Sequence, residues 1–228
     1  MIEAFHVGAV SRDRTLWDGL DMAFDDGEVC VVTGPAGCGK SLLLRVLRGE
    51  RRPDAGDVVA GGVSLYRGVP EEAGAFRAAS GVVPESFPSV AGRSVRDLFL
   101  LSETAGERVP AKERKERREE LLSLMGMPGA LDWKLSSLSV TERARVALAA
   151  ELFRGPKYLF ADMLIANAGC EWTDMLGGLF RALAREGKTV VLAERIFPER
   201  WKARGGEEGT AKGPFRLFRI AVPRESAA

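Results

Sequence analysis

EVCVVTGPAGCGKSLLLRVLRG, residues 28–49, is the stretch that decides the fold of this chain. It begins with a short apolar run rich in valine, which is typical of a buried strand in a parallel sheet. It ends with apolar residues at helical spacing, from Ser41 to a stop at Gly49, which predicts a helix. The pattern G-x-x-x-x-G-K-S stands between the two. Strand, glycine loop and helix therefore follow one another in the order that a phosphate-binding site requires.

The predicted phosphate loop joins glycines to one lysine and one serine. Its members are Gly34, Pro35, Ala36, Gly37, Cys38, Gly39, Lys40 and Ser41. Glycines allow successive backbone N–H groups to turn inward and cradle an anion at the start of a helix. In this pattern the lysine reaches the terminal phosphates and the serine hydroxyl ligates Mg²⁺. A chance match in a chain with 26 glycines is the alternative, and the flanking strand and helix argue against it.

Composition is typical of a globular protein. The 228 residues are 46% hydrophobic and 29% charged, so we expect one globular unit with a sizeable core. The 33 basic and 32 acidic side chains give a net charge of +1, so no overall field draws the protein to nucleic acid or anionic lipid. We find no secretory signal, and no apolar run approaches the ~20 residues that span a bilayer. We expect a cytoplasmic protein that meets the membrane only through a partner.

The cysteines and the single histidine predict no metal site. Cys30, Cys38 and Cys170 are odd in number and lack metal-ligand spacing, which indicates reduced thiols. We interpret all three as small buried side chains. His6 has no identifiable catalytic partner and is interpreted as structural or exposed.

Strands alternate with helices along much of the chain. KYLFAD (157–162) and KTVVLAE (188–194) are predicted strands that flank the predicted helix WTDMLGGLFRALAREG. This alternation implies right-handed crossovers and a mostly parallel sheet, so the predicted fold class is α/β. Before the phosphate loop, IEAFHVGAV and LDMAF are predicted strands separated by a polar break at SRDR (11–14). FRLFRIAV (215–222) is a predicted edge strand.

Two predicted helices and one acidic residue complete the pattern. AKERKERREELLSLMG (111–126) is so highly charged that we expect it to lie largely in solvent. LSVTERARVALAAELFRG (138–155) has Ser139 and Glu142 at capping-box spacing, which predicts where this helix begins. Asp162 ends the strand KYLFAD and is a predicted partner for Mg²⁺ beside the phosphate loop.

These motifs, in this order, resemble the ATP-binding-cassette family over about residues 2–196, with local similarity to its cell-division and lipoprotein-release branches. GPAGCGKS matches the family's phosphate loop, LSVTE (138–142) matches part of its LSGGQ or LSGGE signature, and YLFAD matches its magnesium strand. The resemblance implies a single nucleotide-binding domain over residues 1–228. A P-loop NTPase core with an N-terminal antiparallel β subdomain would cover 1–84 and 151–228, and a helical subdomain would cover 85–150.

The resemblance also implies ligands and partners. ATP would contact the phosphate loop and Ser139, and Mg²⁺ would be held by Ser41, Asp162 and Glu85. In the family two domains pair head to tail around ATP, so we expect a homo- or heterodimer. A groove near ESFPSVAG (85–92) would receive an integral membrane subunit and place the protein at the inner face of the membrane. For Ser139 a role as helix N-cap is an equally open alternative.

Several family positions carry different residues in this sequence. Met163 stands where the family has its catalytic glutamate, and a thioether can neither orient nor deprotonate water. Arg195 stands at the family's switch histidine and does not exchange protons near neutral pH, although it can hold a phosphate charge. Val140 and Thr141 replace signature glycines, and their branched side chains would crowd a phosphate. Glu85 stands where the family has a glutamine.

The aromatic residue with which the family stacks adenine is also missing. Its position aligns near Val10, while Phe5 and His6 lie close in sequence but out of register. We therefore expect modest nucleotide affinity.

Three hypotheses follow. The preferred one is an ATP-binding subunit of a membrane complex, structural or regulatory, that binds MgATP but hydrolyses it slowly or not at all. The second is an active ATPase in which another carboxylate, with Glu194 the nearest candidate, replaces the missing glutamate. The third is a P-loop kinase for a small metabolite, with Arg114, Arg117 and Arg118 in its lid; the LSVTE helix just before the magnesium strand argues against it.

Overall fold

The computed structural model of the chain describes residues 1–11, 14–86, 92–103, 110–202 and 215–220. Its strands are β1 (Ile2–Ser11), β2 (Arg14–Phe24), β3 (Val29–Thr33), β4 (Ala55–Ala60), β5 (Val63–Ser64), β6 (Ser80–Val83), β7 (Tyr158–Asp162), β8 (Thr189–Glu194) and β9 (Arg216–Arg219). Its α-helices are α1 (Lys40–Leu47), α2 (Pro70–Ala78), α3 (Val95–Glu103), α4 (Ala111–Leu124), α5 (Val140–Arg154), α6 (Leu164–Ala168), α7 (Thr173–Arg185) and α8 (Glu199–Lys202).

The strands form two sheets of different kinds. One has the order β2-β1-β4-β5 and its pairs are antiparallel. The other has the order β6-β7-β8-β3-β9 and its pairs are all parallel. The α/β prediction is therefore confirmed, together with an N-terminal antiparallel β subdomain. The strand predicted from FRLFRIAV is β9, at the sheet edge.

The parallel sheet brings the predicted site residues to one edge. Every residue of β3, β7 and β8 is buried, which explains why these strands are continuous apolar runs in the sequence. Thr33 of β3 pairs with Glu194 of β8, and Asp162 of β7 pairs with Ala193 of β8. Because parallel strands end at the same edge, the residues that follow β3, β7 and β8 lie side by side there.

Two hydrophobic clusters cover opposite faces of this sheet. Val31 and Leu192 belong to the cluster formed with the helices α3, α4, α5 and α7. Val32 and Val191 belong to the cluster formed with α1 and the antiparallel sheet. Successive side chains of a strand point to opposite faces, so one short run of valines fills both cores.

The helical layer between residues 95 and 154 is organised around α5. Helices α3 and α4 both pack against it, with the Phe99 and Phe153 rings edge to face at 5.4 Å. Most described side chains of α4 are exposed, as the charge run predicted, but Arg118, Leu121 and Leu122 are buried. No helix in the described part of the chain is long and apolar enough to cross a bilayer.

The structure differs from the sequence prediction at several places. Strand β2 starts at Arg14 rather than at Leu20, because the ladder with β1 continues to the pair Ser11 and Arg14. Helices α2, α6 and α8 were not predicted. Cys170 is exposed, not buried, whereas Cys30 and Cys38 are buried as expected. The described ranges omit residues 87–91, so most of the predicted membrane-subunit contact lies outside them.

Candidate functional site

The phosphate loop follows β3 and ends where α1 begins. Gly37 and Gly39 have φ of 76° and 90°, in the left-handed region that favours glycine. A methyl group at Gly34 would lie 2.7 Å from Cys38 Sγ and 2.9 Å from the Ile220 carbonyl oxygen, so only glycine fits there. The glycines that the pattern singled out are thus required by backbone geometry and close packing.

Lys40 is aimed back across the loop. Its ammonium donates hydrogen bonds to the carbonyl oxygens of Gly34 (2.8 Å) and Pro35 (3.0 Å). The side chain is only 8% exposed, so its charge stays at the loop rather than in solvent. A positive charge over a cradle of backbone N–H groups favours a phosphate.

Asp162 ends β7 next to the loop. Burial raises the pKa of the Asp162 carboxyl, and the hydrogen bond with Ser41 lowers it to a smaller extent. Its Oδ1 atom is buried and has no hydrogen-bond partner among the described residues. A buried carboxylate oxygen without a partner, beside a serine hydroxyl, fits the oxygen ligands that Mg²⁺ prefers. Ser41 and Asp162 would hold this ion.

Glu85 lies near Asp162 but its side chain is exposed. Burial is the main reason why the pKa of Asp162 is raised, and the charge of Glu85 raises it to a smaller extent. Its backbone carbonyl accepts a hydrogen bond of 2.8 Å from Asn167 Nδ2. A role for Glu85 as metal ligand stays a prediction.

Met163 begins the turn into α6. Its φ of 52° is in the left-handed region, which is unusual for a residue with a Cβ atom. Its backbone N–H donates to the Ala193 carbonyl oxygen at 2.8 Å, and its side chain is buried. A buried thioether therefore directly follows Asp162.

Glu194 is a second buried carboxylate and lies at the end of β8. It is 3% exposed and accepts a hydrogen bond of 2.7 Å from the backbone N–H of Ile165, with Ala166 as a further backbone donor. Burial and, less strongly, the charge of Asp162 together raise its pKa to about 7 despite these hydrogen bonds. Glu194 thus joins the end of β8 to the first turn of α6.

Arg195 follows Glu194 and is exposed. It lines a cavity of about 390 Å³ with Thr33, Gly34 and Pro35. It also lines a cavity of about 750 Å³ with Glu194. The positively charged guanidinium of Arg195 therefore lies between the phosphate loop and α6.

Ser139 caps α5 as predicted. Its hydroxyl accepts from the Glu142 N–H at 3.2 Å, and the Glu142 carboxylate accepts from the Ser139 N–H at 2.7 Å. The backbone hydrogen bond from Ser139 also lowers the pKa of Glu142. Val140 is 56% exposed at the first turn. The N-cap role is confirmed, and contact of Ser139 with ATP stays a prediction.

The remaining predicted residues lie away from the loop. His6 is exposed, as expected, and its Nδ1 lies 2.7 Å from Asp21 Oδ1. Arg117 pairs with Glu120 at 3.4 Å, and the Arg118 guanidinium lies 5.5 Å from the centre of the Phe153 ring. Both contacts are made within the helical layer, and they give the kinase hypothesis no support.

Sequence reasoning missed two side chains that fix α6. One is Asn167, described above. The other is Arg145 of α5, whose guanidinium donates to the Ala168 carbonyl oxygen at 2.9 Å and lies 4.0 Å from the centre of the Trp172 ring. The Arg145 guanidinium also pairs with Glu171 at 2.9 Å. These partners are more than 20 residues apart, and no local sequence signal marks them. Helix α6 is thus tied to α5, β8 and the end of β6.

Comparison with known proteins gives a consistent result. The family described as "ABC transporter" matches residues 17–164. A methionine import ATP-binding protein of Geobacillus kaustophilus is 33% identical over 186 residues, which are 81% of this chain and 54% of that protein. An uncharacterized ABC transporter ATP-binding protein of Thermotoga maritima is 34% identical over 178 residues, 76% of this chain and 74% of that one. The chain spans about half the length of the methionine-import relative.

A solved structure supports the fold. A dimeric bacterial ABC transporter cassette matches with a TM-score of 0.76 and 22% identity, over 86% of this chain and 88% of that one. The two named relatives do not support the expected local similarity to the cell-division and lipoprotein-release branches.

Proposed function

Because the chain belongs to the ABC transporter family, we propose that it is the ATP-binding subunit of a transport complex that binds MgATP and hydrolyses it slowly or not at all. One observation carries the proposal. The loop presents Lys40 and Ser41 beside the unpaired oxygen of Asp162, yet the next residue, Met163, is a buried thioether. The phosphate-binding groups are thus in place, and no base is present at that position to take a proton from water.

Each residue at the site has a definite task in this proposal. The loop backbone binds the phosphates, and the Lys40 ammonium moves from the Gly34 and Pro35 carbonyl oxygens to a phosphate oxygen. Ser41 and Asp162 hold Mg²⁺, which neutralises phosphate charge when it is bound. Arg195 adds a guanidinium whose positive charge stabilises bound phosphate.

The proposed partners follow from family membership. The chain pairs with another nucleotide-binding domain, identical or different, and with an integral membrane subunit at the inner face of the membrane. With slow hydrolysis, its role in that complex is to stabilise the assembly or to regulate the membrane partner.

Binding and turnover of ATP test this proposal. We expect the purified chain to bind MgATP in calorimetry, and Lys40→Ala to weaken binding at least tenfold. We expect phosphate release below about 0.1 per second, against a typical enzyme turnover of about 10 per second. Lys157→Ala is the matched control, because Lys157 is an exposed lysine paired with Asp26, and it leaves binding unchanged. Several turnovers per second, abolished by Lys40→Ala, would contradict slow hydrolysis.

A second candidate function is ATP hydrolysis with Glu194 as substitute base. The observation in its favour is a carboxylate with a pKa of about 7, influenced by the charges of both Asp162 and Lys40. A pKa near the working pH suits a general base. Its hydrogen bond to Ile165 N–H argues for a structural task instead. If Glu194→Gln releases phosphate at the wild-type rate, Glu194 is not the base.

A further inference from the structure

The larger cavity that Arg195 lines, of about 750 Å³, lies between α6, the start of α7 and the segment that follows β8. Three residues of its lining are buried: Ile165, Thr173 and Glu194. Ile196 and Pro198 line it from the segment between β8 and α8, and its surface is mainly apolar. Apolar cavities of ~300–1,000 Å³ with a few polar groups are typical of small-molecule sites. We call it the α6 cavity.

One polar group of the α6 cavity is buried without a hydrogen bond. Thr173 is 9% exposed. Its backbone carbonyl accepts from Trp201 Nε1 at 3.1 Å, but no described residue bonds its hydroxyl. Buried polar side chains in proteins nearly always have a hydrogen-bond partner. A hydroxyl both donates and accepts, so it suits a polar group of a molecule in the cavity.

Most charged side chains around the α6 cavity already have partners. Arg200 pairs with Asp174 at 3.1 Å, and Glu171 pairs with Arg145 at 2.9 Å. Glu199 is engaged as well. These three side chains therefore do not present free charges to a ligand.

Arg195 is the exception. It is exposed, and within the described ranges its guanidinium has neither an ion pair nor a hydrogen bond. The carboxylate of Glu194, in contrast, accepts from the backbone N–H groups of Ile165 and Ala166. Because a guanidinium binds anionic oxygens through parallel hydrogen bonds, the free charge at this cavity favours an anionic ligand.

We propose that the α6 cavity binds an organic anion with an apolar body, and that this ligand and MgATP weaken each other's binding. The apolar body packs on Ile165, Ile196 and Pro198. The anionic group binds the Arg195 guanidinium, and the Thr173 hydroxyl bonds a further polar group.

The antagonism rests on the proposed ATP-binding function. Arg195 also lines the cavity at Gly34 and Pro35, so a single guanidinium serves both the organic anion and the bound phosphate. An anion that holds Arg195 takes this charge away from the phosphate. Coupling between two sites is reciprocal, so each ligand lowers the affinity of the other by the same factor.

Calorimetry on the full chain with the dye anilinonaphthalenesulfonate tests the ligand class. This dye joins an aromatic body to a sulfonate, and phenylnaphthylamine is a matched molecule without the sulfonate. We expect the dye to bind at least about tenfold more tightly than the uncharged molecule. In Arg195→Gln this advantage is lost. Saturating MgATP weakens dye binding to the wild type by about fivefold or more.

A substitution that fills the cavity tests the location. Ala166 is an exposed residue of α6 that lines the cavity, and Ala166→Trp places an indole there. We expect this variant to bind the dye at least about tenfold more weakly while melting like the wild type. Ala75→Trp is the matched control: it makes the same change at an exposed position of α2 and leaves dye binding unchanged.

The outcomes separate the cavity from the function of the phosphate loop. Dye binding that Ala166→Trp does not weaken would overturn the site, and equal affinity for the dye and the uncharged molecule would overturn the ligand class. Dye binding that disappears as the chain dimerises, followed by light scattering, would assign the cavity to a second copy and also overturn the site. If MgATP binds without weakening the dye, the antagonism is wrong. If MgATP does not bind at all, the proposed function and the antagonism fail together, while dye binding still supports the site.

Discussion

Glu194 gives the site a pH dependence that a single substitution can isolate. Its pKa in the folded protein is about 7, above its ordinary value of 4.5, so the folded chain binds this proton more tightly than the unfolded chain. The resulting stability is fully present below pH 4.5 and is lost as the pH rises through 7. We therefore compare the free energy of unfolding of Glu194→Gln with that of the wild type by urea denaturation. We expect this difference to shift in favour of the variant by up to about 3 kcal/mol between pH 5 and pH 8.5.

A matched control keeps this result specific. Glu72→Gln makes the same change at an exposed position in the first turn of α2. We expect its free energy of unfolding to vary with pH with the same slope as in the wild type. Equal slopes for wild type and Glu194→Gln would show that the buried carboxylate does not titrate in this range.

At the residue scale the sequence predicted some members of the site and not others. The glycines, Lys40 and Ser41 form one contiguous pattern whose chemistry is local, so they were found directly. The bond from Ile165 to Glu194 joins residues 29 positions apart, and it exists only because β7 and β8 pair in parallel. Such contacts depend on strand register, which a single sequence does not fix.

At the element scale, a substitution in the capping box of α5 distinguishes between the two roles considered for Ser139, helix N-cap and nucleotide contact. We expect Ser139→Ala to lower the free energy of unfolding by about 1 kcal/mol without nucleotide, because the Glu142 N–H loses its acceptor. Urea denaturation measures this loss. Ser136→Ala, at an exposed serine three residues earlier, serves as control and changes stability by less than about 0.5 kcal/mol. Unchanged stability together with weaker ATP binding would instead assign Ser139 to the nucleotide.

The elements that were predicted correctly share strong, regular patterns. Strands β3, β7 and β8 are buried on both faces and are therefore uninterrupted apolar runs. Helix α2 was missed because its apolar residues are sparse, although Pro70 at its start and the acidic first turn are helix signals. Helix α6 has five residues, fewer than two turns, and is held by contacts from α5 and β8 rather than by its own periodicity.

For the whole molecule, nucleotide binding should appear as added thermal stability. A ligand at 100 times its dissociation constant stabilises the folded state by about 2.7 kcal/mol. For a chain of this size that corresponds to a rise in Tm of about 5 to 10 °C. We expect this rise with MgATP in scanning fluorimetry, and a rise no more than about half as large in Lys40→Ala at the same MgATP concentration, because its binding is at least about tenfold weaker. A similar rise in both proteins would show that ATP binds somewhere other than the phosphate loop.

The position of β3 in the sheet has a consequence for how the chain folds. Its neighbours are β8 and β9, whose residues come more than 150 positions after Thr33. Ribosomes add about 5 to 20 residues per second, so the phosphate loop emerges on the order of ten seconds before the strands that flank it. The antiparallel sheet of β1, β2 and β4 needs only nearby segments and can form during that time. The first functional motif to be synthesised is therefore among the last parts of the protein to become structured.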